Sequence, residues 1–261
     1  MNTLFEMPIQ QKTNEPYHGR YIYETKGRAR EYRELAANLY TGCDHGCKYC
    51  YAPDILRRDR RQFYTSPKPR TNIIEKIRKD ARGYMAGGDK RQVLFCFACD
   101  PYPQAHNKYH LTTEAIQVLH YAGMSVSILT KGGKRSQKDL KLLGPKDSYA
   151  VTLTTCDDKL SKIWEPGAAV YTERLEVLKE AYGLGITTWV SLEPVLNPAW
   201  TLKIIEETHD FVNQYKVGPL NYHKAKDTIN WYQFTSDVIK TLEKFNANYY
   251  LKRDLRKFIR A

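Results

Sequence analysis

The chain has 261 residues and a formal net charge of +12, with 42% hydrophobic and 27% charged residues. It is long enough to bury the core of one large domain. No apolar run approaches the length that crosses a bilayer, and the N-terminal sequence has neither a basic start nor a continuous apolar stretch, which argues against a transmembrane or secreted protein. Six cysteines in a non-secreted chain suit reduced thiols, metal ligation or catalysis, so we expect a cytoplasmic protein.

Short β-rich segments alternate along the chain with longer segments of helical periodicity. Strands are predicted at residues 36–40, 92–98, 125–130, 149–154, 187–192 and 210–217. Helices are predicted at residues 71–85, 112–121, 136–143, 171–182, 202–208 and 231–245. Glycines close several of these helices.

The repeated strand-helix order predicts a parallel sheet in an α/β fold, specifically a partial (βα)6 TIM-like barrel with short N- and C-terminal extensions. No glycine-rich nucleotide-binding motif follows the first strand, which leads instead into a cysteine-rich loop. The predicted divisions are an irregular N-terminal arm at 1–35, the (βα)6 core at 36–225, and a helical, basic C-terminal extension, packed on the core, at 226–261.

Three cysteines lie within eight residues, at Cys43, Cys47 and Cys50 in the segment TGCDHGCKYCYAP. Three thiolates on one loop can hold three irons of a [4Fe-4S] cluster and leave the fourth iron open to an added ligand. The alternative is structural zinc, whose four positions are all filled by protein. His45 would then have to fold back sharply between two of the ligands. The other cysteines that could complete a zinc site, or together hold a second cluster, are Cys96, Cys99 and Cys156.

The C-x-x-x-C-x-x-C spacing, with an aromatic residue before the last cysteine and a predicted strand before the first, resembles the signature of the radical S-adenosylmethionine superfamily. The resemblance implies that the three motif cysteines ligate a [4Fe-4S] cluster and that S-adenosylmethionine (SAM) chelates the fourth iron. It implies an enzyme that cleaves SAM to a 5′-deoxyadenosyl radical, with the chemistry carried by the cofactor. Tyr49 would lie against the adenine, shield the cluster from water, or do both.

Residues 38–195 are similar, more narrowly, to the spore photoproduct lyase family. The matching segments are HGCKYCY at 45–51, Ala98-Cys99-Asp100, Leu129-Thr130-Lys131, and Glu165-Pro166-Gly167 followed by Arg174. The resemblance implies that Lys131 and a hydroxyl of Thr152 or Thr154 contact SAM, since an ammonium pairs with a carboxylate and a hydroxyl can reach the ribose. The alternatives are a solvated basic loop for Lys131 and plain β-propensity for the threonines.

Further site residues follow from the same resemblance. Asp100 would contact the cofactor amino group, although prolines stand where many superfamily members carry a glycine-rich acidic motif. Glu165 and Arg174 would clamp cofactor or substrate, or else Glu165 simply belongs to a helix-entry turn. Glu193, followed by proline, lies by position at the same end of the barrel, and its role is left open.

In spore photoproduct lyases a thiol beyond the second strand donates hydrogen to the product radical, and two tyrosines near the cluster relay the radical. The tyrosines correspond here to Tyr49 and Tyr51. The thiol corresponds to Cys99 or Cys96, and because residues three apart on a regular strand point to opposite faces, we expect at most one of them to face the cavity. Cys99 is preferred because it is nearer the strand's carboxyl end. Ordinary core positions are the alternative for both.

Basic residues are clustered at 57–61, 76–82, 131–135 and 252–257. Such clusters favour an anionic partner, nucleic acid first, although solvated helix faces show the same pattern. We therefore expect radical chemistry on a nucleic acid base or nucleotide, with a buried base flipped out. The alternatives are a peptide or small-metabolite substrate, and a non-enzymatic nucleic-acid-binding module. An electron donor such as flavodoxin or ferredoxin is expected, a membrane partner is not, and no oligomeric state is predicted.

Overall fold

The computed structural model describes residues 17–221 and 223–259, so the first part of the predicted arm and the last two residues of the C-terminal extension lie outside the described residues. The strands are β1 (Ile22–Glu24), β2 (Leu35–Ala37), β3 (Tyr40–Thr41), β4 (Lys68–Pro69), β5 (Val93–Phe95), β6 (Val126–Thr130), β7 (Ser148–Thr152), β8 (Thr187–Leu192), β9 (Gln214–Val217) and β10 (Tyr249–Leu251). The α-helices are α1 (Ala52–Ile55), α2 (Arg60–Thr65), α3 (Ile73–Ala86), α4 (His106–Tyr109), α5 (Leu111–Tyr121), α6 (Asp158–Trp164), α7 (Tyr171–Gly183), α8 (Pro198–Thr208), α9 (Trp231–Lys244) and α10 (Arg253–Arg256). Short 3-10 helices occupy Gly27–Glu31, Gly133–Arg135, Gln137–Leu142, His209–Phe211 and Lys224–Thr228.

Eight strands form one sheet in the order β1-β2-β5-β6-β7-β8-β9-β10. β1 pairs antiparallel with β2, and the other pairings in this sheet are parallel. The parallel run from β2 to β9, with helical connections, confirms the predicted partial TIM-like barrel. Within the described chain the sheet stays open, with β1 and β10 at its two edges.

The structure differs from the sequence predictions mainly at the two extensions. β1 lies in the arm predicted to be irregular, and β10 lies in the extension predicted to be helical, so both add strands to the sheet. Strands of three residues are too short to show a period, which is why pattern analysis missed them. The predicted strand at 36–40 is divided between β2 and β3, and the predicted helix at 136–143 is a 3-10 helix.

Helices cover one face of the sheet because their apolar residues recur at helical spacing. α9, for example, buries Phe234, Val238 and Leu242, which are four residues apart and therefore lie on one side of the helix. They join a large core that includes apolar residues of the strands. Of the helices in residues 17–221 and 223–259, none combines the length and the apolar character needed to cross a membrane.

The other face of the sheet carries a separate small cluster of Ala36, Leu94, Ala150 and Trp189. Ala36 lies beside Leu94 in the register, and Ala150 lies beside Trp189. Because two of the four side chains are alanines, this face is less filled than the helical face. Tyr32, from the segment before β2, packs against the cluster.

That N-terminal segment also reaches the opposite edge of the sheet. The ammonium group of Lys216 in β9 donates hydrogen bonds to the backbone carbonyl oxygens of Glu31 and Tyr32, at 2.9 and 2.8 Å. The Glu31 carboxylate accepts a hydrogen bond of 2.6 Å from the backbone N–H of Arg253. The 3-10 helix Gly27–Glu31 therefore links the β2 side of the open sheet to the β9–β10 edge.

The buried ammonium of Lys216 predicts a pH-dependent stability. Burial, with help from nearby cations, lowers the pKa of Lys216 to about 7 from its ordinary 10.5. Between these values the unfolded chain binds one more proton than the folded chain, so the free energy of unfolding rises with pH. Between about pH 7 and about pH 8.5 we expect the free energy of unfolding of the unaltered protein to rise. This rise should exceed that of a Lys216→Met variant by about 1–2 kcal/mol. Urea denaturation at both pH values measures this difference, and parallel behaviour of the two proteins would contradict it.

Candidate active site

A cavity of about 530 Å³ opens at the carboxyl ends of the parallel strands. Its wall includes Thr152 at the end of β7, Ser191 in β8, and residues from the loops after β5, β6 and β10. Active sites of (βα) barrels form at this end because the loops that follow the strands meet there. Five of the six cysteines line the cavity, whereas Cys156 does not.

The three motif cysteines lie on a loop from Gly42 to Tyr51, which we call the cysteine loop. Gly42 has a φ of 83°, and a Cβ there would come within 2.7 Å of the carbonyl oxygen of Phe63, so this turn requires glycine. On its other side the loop is held by a 2.9 Å hydrogen bond from the backbone N–H of Gly167 to the carbonyl oxygen of His45. Phe63 and Gly167 both lie outside the cysteine loop, and their contacts with it hold the thiols at the cavity wall.

The ring of His45, between two of the cysteines, lies between Arg135 and Asp100. Its Nε2 lies 2.7 Å from a guanidinium nitrogen of Arg135, which can only donate, so Nε2 is the acceptor and Nδ1 carries the proton. Nδ1 lies 3.5 Å from an oxygen of Asp100. Burial lowers the pKa of His45 to about 4, so the ring is neutral at physiological pH. Among the residues that the structure describes, Nδ1 has no hydrogen-bond partner but carries the proton, and Nε2 is paired with Arg135, so neither nitrogen offers a lone pair to zinc.

The donor set fits an iron-sulfur cluster better than a single ion. Within the described residues, no group of three or more His, Cys, Asp or Glu side chains is arranged to hold a metal ion. In a [4Fe-4S] cluster each thiolate binds a different iron, so the three sulfur atoms need not converge on one point. Burial raises the pKa of the Cys47 thiol to about 12, and the Lys131 ammonium opposes this effect by favouring the thiolate.

Asp100 and Lys131 are neighbours in the cavity wall. The Asp100 carboxylate accepts hydrogen bonds from the Thr130 hydroxyl at 2.6 Å and from the backbone N–H of Lys131 at 2.8 Å. Burial opposes ionisation, but His45, Lys131 and these donors together lower the pKa of Asp100. The Lys131 ammonium makes no hydrogen bond to any described residue, and nearby anionic groups raise its pKa against the effect of burial. Asp100 is thus held by protein donors, and Lys131 offers a cation to a ligand.

Glu165 and Arg174 lie behind the cavity wall and do not line it. They form a buried ion pair, with 2.5 Å between Arg174 Nη2 and Glu165 Oε2. The other carboxylate oxygen accepts hydrogen bonds from the hydroxyls of Tyr49 and Thr154. Arg174 also donates to the carbonyl oxygen of Thr152 at 2.9 Å. The pair thereby holds Tyr49 and Thr152, which line the cavity, while Thr154 lies outside it.

Cys96 and Cys99 both line the cavity, so the expectation that at most one would face it is wrong. β5 ends at Phe95, and the alternation of side chains along a strand does not continue into the loop that carries both cysteines. Asn38, which had no signal in the sequence, holds this loop by accepting hydrogen bonds of 2.9 and 2.8 Å from the backbone N–H groups of residues 97 and 98. Burial and a hydrogen bond with Cys99 raise the pKa of the Cys96 thiol well above its usual range, which keeps it protonated.

The mouth of the cavity is apolar and basic. Tyr51 and Ile55 line the cavity and are 40% and 62% exposed. The chain then continues through three exposed arginines, which we call the arginine lip: Arg57, Arg58 and Arg61. Lys26, from the N-terminal segment, also lines the cavity and is exposed.

A second polar group lies on the cavity wall near the β10 edge. The Tyr32 hydroxyl donates a hydrogen bond to Glu193 Oε2 and lies 3.2 Å from the Ser191 hydroxyl. Lys252 Nζ is 3.3 Å from Glu193 Oε2. These four residues line the same cavity as the motif cysteines. Sequence analysis noted Glu193 at a strand end but had no signal for Tyr32 or Lys252, since only folding brings them together.

Comparison with known proteins agrees with this geometry. A family model described as the radical SAM superfamily matches residues 37–212. An uncharacterized protein of Mycobacterium tuberculosis is 29% identical over 168 residues, which cover 61% of this chain and 48% of that protein. An uncharacterized protein of Methanocaldococcus jannaschii is 25% identical over 194 residues, covering 73% of this chain and 71% of that protein. The chain thus spans about half the length of the first relative.

Solved structures share the fold at low sequence identity. A spore photoproduct lyase variant gives a TM-score of 0.68 with 13% identity, over 90% of this chain and 80% of that chain. A spore photoproduct lyase variant with bound AdoMet and dinucleoside spore photoproduct gives 0.65 with 14% identity, over 85% and 76%. SuiB of Streptococcus suis bound to S-adenosylmethionine gives 0.60 with 12% identity, over 83% and 49%. At such identities the likeness establishes the fold alone.

Proposed function

The chain belongs to the radical S-adenosylmethionine superfamily, and we propose that it acts on a base of a nucleic acid or nucleotide, by repair or modification. It is an enzyme of the class that uses a [4Fe-4S] cluster and SAM. The observation that carries the substrate proposal is one cavity whose lining combines the motif thiols with basic side chains, including those of Lys26 and Lys131. The arginine lip closely follows Ile55, an exposed residue of that lining. The resemblance of segments along residues 38–195 to spore photoproduct lyases supports the same substrate class.

The proposal assigns a separate role to each group of residues around the cavity. The three motif cysteines hold the cluster, which with bound SAM supplies a 5′-deoxyadenosyl radical. Lys131 pairs with the SAM carboxylate, and the hydroxyl of Thr152 binds the ribose. Tyr49, held by Glu165, packs against the adenine. Asp100 acts by orienting Lys131, because its oxygens already accept hydrogen bonds from the protein.

The two thiols at the end of β5 are the candidates for returning a hydrogen atom to a substrate radical. Cys99 and Cys96 both line the cavity, and burial keeps the Cys96 thiol protonated, as hydrogen donation requires. Tyr51 lines the same cavity and is the relay residue. Separate alanine variants, compared by deuterium incorporation into product from heavy water, distinguish the two cysteines.

The dimensions of the cavity require an unstacked base. A cavity of about 530 Å³ is in the range that holds small ligands, so a duplex cannot enter it. A base would have to leave the stack to reach the radical, as in other enzymes that modify bases. Exposed Tyr51 can stack on a base beside the vacated position, and Ile55 can pack against that base as an apolar wedge, while the arginine lip contacts phosphates.

The arginine lip predicts a salt-dependent affinity. The double variant Arg57→Glu/Arg58→Glu is expected to bind single-stranded DNA about tenfold more weakly at low salt, because two phosphate contacts become repulsive. The slope of log K against log salt should fall by about 1.5. Fluorescence anisotropy with a labelled oligonucleotide, over a series of salt concentrations, measures both quantities.

A matched control carries the same charge change on α3, at the exposed residues Lys79 and Arg82. Unlike Arg57 and Arg58, which closely follow Ile55, these two residues are far in sequence from any residue that lines the cavity. Lys79→Glu/Arg82→Glu should retain most of the affinity and the slope. Equal losses in both variants would show that only net charge matters. A salt-independent affinity of the unaltered protein would overturn the nucleic-acid proposal and favour a peptide or small-metabolite substrate.

A further inference from the structure

Glu193 and Lys252 form a charged pair in the cavity wall that the cofactor assignment does not use. Glu193 follows β8, and Lys252 follows β10, where its backbone N–H donates to the carbonyl oxygen of Val217 at 2.8 Å. The ammonium nitrogen lies 3.3 Å from Glu193 Oε2 and 3.2 Å from the centroid of the Tyr32 ring. The pair is therefore held in place by the sheet and by one aromatic ring.

Each member of the pair keeps unused hydrogen-bonding capacity. The Lys252 side chain is 2% exposed, and its ammonium makes no hydrogen bond to any described residue in spite of its three donor hydrogens. Glu193 is 20% exposed, and its Oε2 is engaged by Tyr32 and Lys252. Its Oε1 accepts no hydrogen bond from residues 17–221 or 223–259. The cavity wall thus presents a carboxylate acceptor beside an ammonium donor.

The surrounding backbone leaves room for the carboxylate. A Cβ on Gly218 would come within 2.6 Å of the Glu193 side chain, so a larger residue here would displace the carboxylate. Two smaller groups, the Ser191 and Tyr32 hydroxyls, complete the polar patch. A pair placed only for stability gains little over apolar residues of similar volume, because desolvation offsets the attraction. A pair with free donors and acceptors on a cavity wall is suited to binding a ligand.

We propose that Glu193 and Lys252 bind the edge of a nucleobase that presents a ring N–H next to a carbonyl, as thymine, uracil and guanine do. This inference rests on the proposed function. The carboxylate accepts from the ring N–H, and the ammonium donates to the neighbouring carbonyl oxygen. Cytosine and adenine lack a ring N–H on this edge and satisfy the pair less well. Tyr32 acts as a positioning residue, because its hydroxyl holds the Glu193 carboxylate.

The test compares binding of single-stranded 15-residue oligothymidine and oligocytidine to the reconstituted holoenzyme with SAM. The unaltered protein should prefer oligothymidine at least about fivefold. Glu193→Gln replaces a charged acceptor with a weaker neutral one, so most of this preference should be lost. Its salt dependence should stay unchanged, because Glu193 contacts no phosphate. Tyr32→Phe keeps both charges and should lose only part of the preference.

The control is Glu176→Gln, which removes an exposed carboxylate that is paired with Lys134 and does not line the cavity. Formation of 5′-deoxyadenosine without substrate shows that each variant is folded and loaded. An equal affinity for both oligonucleotides, or a preference that Glu193→Gln leaves intact, overturns this inference alone. A protein that binds neither oligonucleotide overturns the proposed function, and this inference with it.

Discussion

The Cys47→Ala variant is expected to lose SAM cleavage down to the background of the assay. The three motif thiols line one cavity, and Cys47 is the most buried of the three. A cluster held by two thiolates lacks a ligand for one more iron, and a second open iron disturbs the arrangement that leaves a single site for SAM. After anaerobic reconstitution, iron and sulfide analysis should fall well below about four per chain. After reduction, 5′-deoxyadenosine should not form.

Cys156→Ala is the matched control for this experiment. Cys156 is half-buried on the loop after β7 and lies outside the cavity. It should keep the iron content and the SAM cleavage of the unaltered protein. Full 5′-deoxyadenosine formation by Cys47→Ala would contradict the ligand assignment. Loss of iron in Cys156→Ala would support a second cluster, which the structure does not favour because Cys156 lies apart from the other cysteines of the cavity.

The Arg174→Met variant is expected to lower the free energy of unfolding by about 3–5 kcal/mol. Arg174 is 1% exposed, and its guanidinium pairs with Glu165 and donates to two backbone carbonyl oxygens, those of Ala169 and Thr152. Removing it leaves the Glu165 carboxylate buried without its ion-pair partner. The loss should appear in urea denaturation of the protein before cluster reconstitution. Since Glu165 also holds Tyr49, the KM for SAM should rise in the reconstituted variant.

Two further variants identify the cause of this loss. Combining Arg174→Met with Glu165→Gln should destabilise the protein less than Arg174→Met alone, because no buried charge is left unpaired. Arg78→Met removes an exposed arginine paired with Glu75 at 2.6 Å and should cost less than about 1 kcal/mol. If Arg174→Met cost as little as Arg78→Met, the buried pair would not contribute to stability in the proposed way.

Much of the cofactor site could be predicted from the sequence because its pattern is local. Cys43, Cys47 and Cys50 lie within eight residues, so any loop that carries them keeps them close. Lys131 and Thr152 follow or end predicted strands, and parallel strands bring their carboxyl ends to one edge. Glu165 and Arg174 belong to segments that resemble those of spore photoproduct lyases. Their position behind the cavity wall depends on how α6 and α7 pack, which the sequence does not show.

Other features depended on contacts that no local pattern contains. Asn38 holds the loop of Cys96 and Cys99 through hydrogen bonds with the backbone of residues 97 and 98. Only the folded structure shows these bonds, because nothing in the local sequence indicates them. Both cysteines line the cavity, contrary to the prediction, because strand pairing rather than residue type decides that β5 ends at Phe95.

The sequence by itself determined the fold class and predicted the three cluster ligands. Apolar periodicity and short covalent spacing act over a few residues, and both can be read without knowing what lies across the core. Tyr32 and Glu193 are 161 residues apart in the sequence. Only the tertiary structure brings them within hydrogen-bonding distance, with Lys252 beside them. Such groups meet through sheet register and packing, which depend on the whole chain at once.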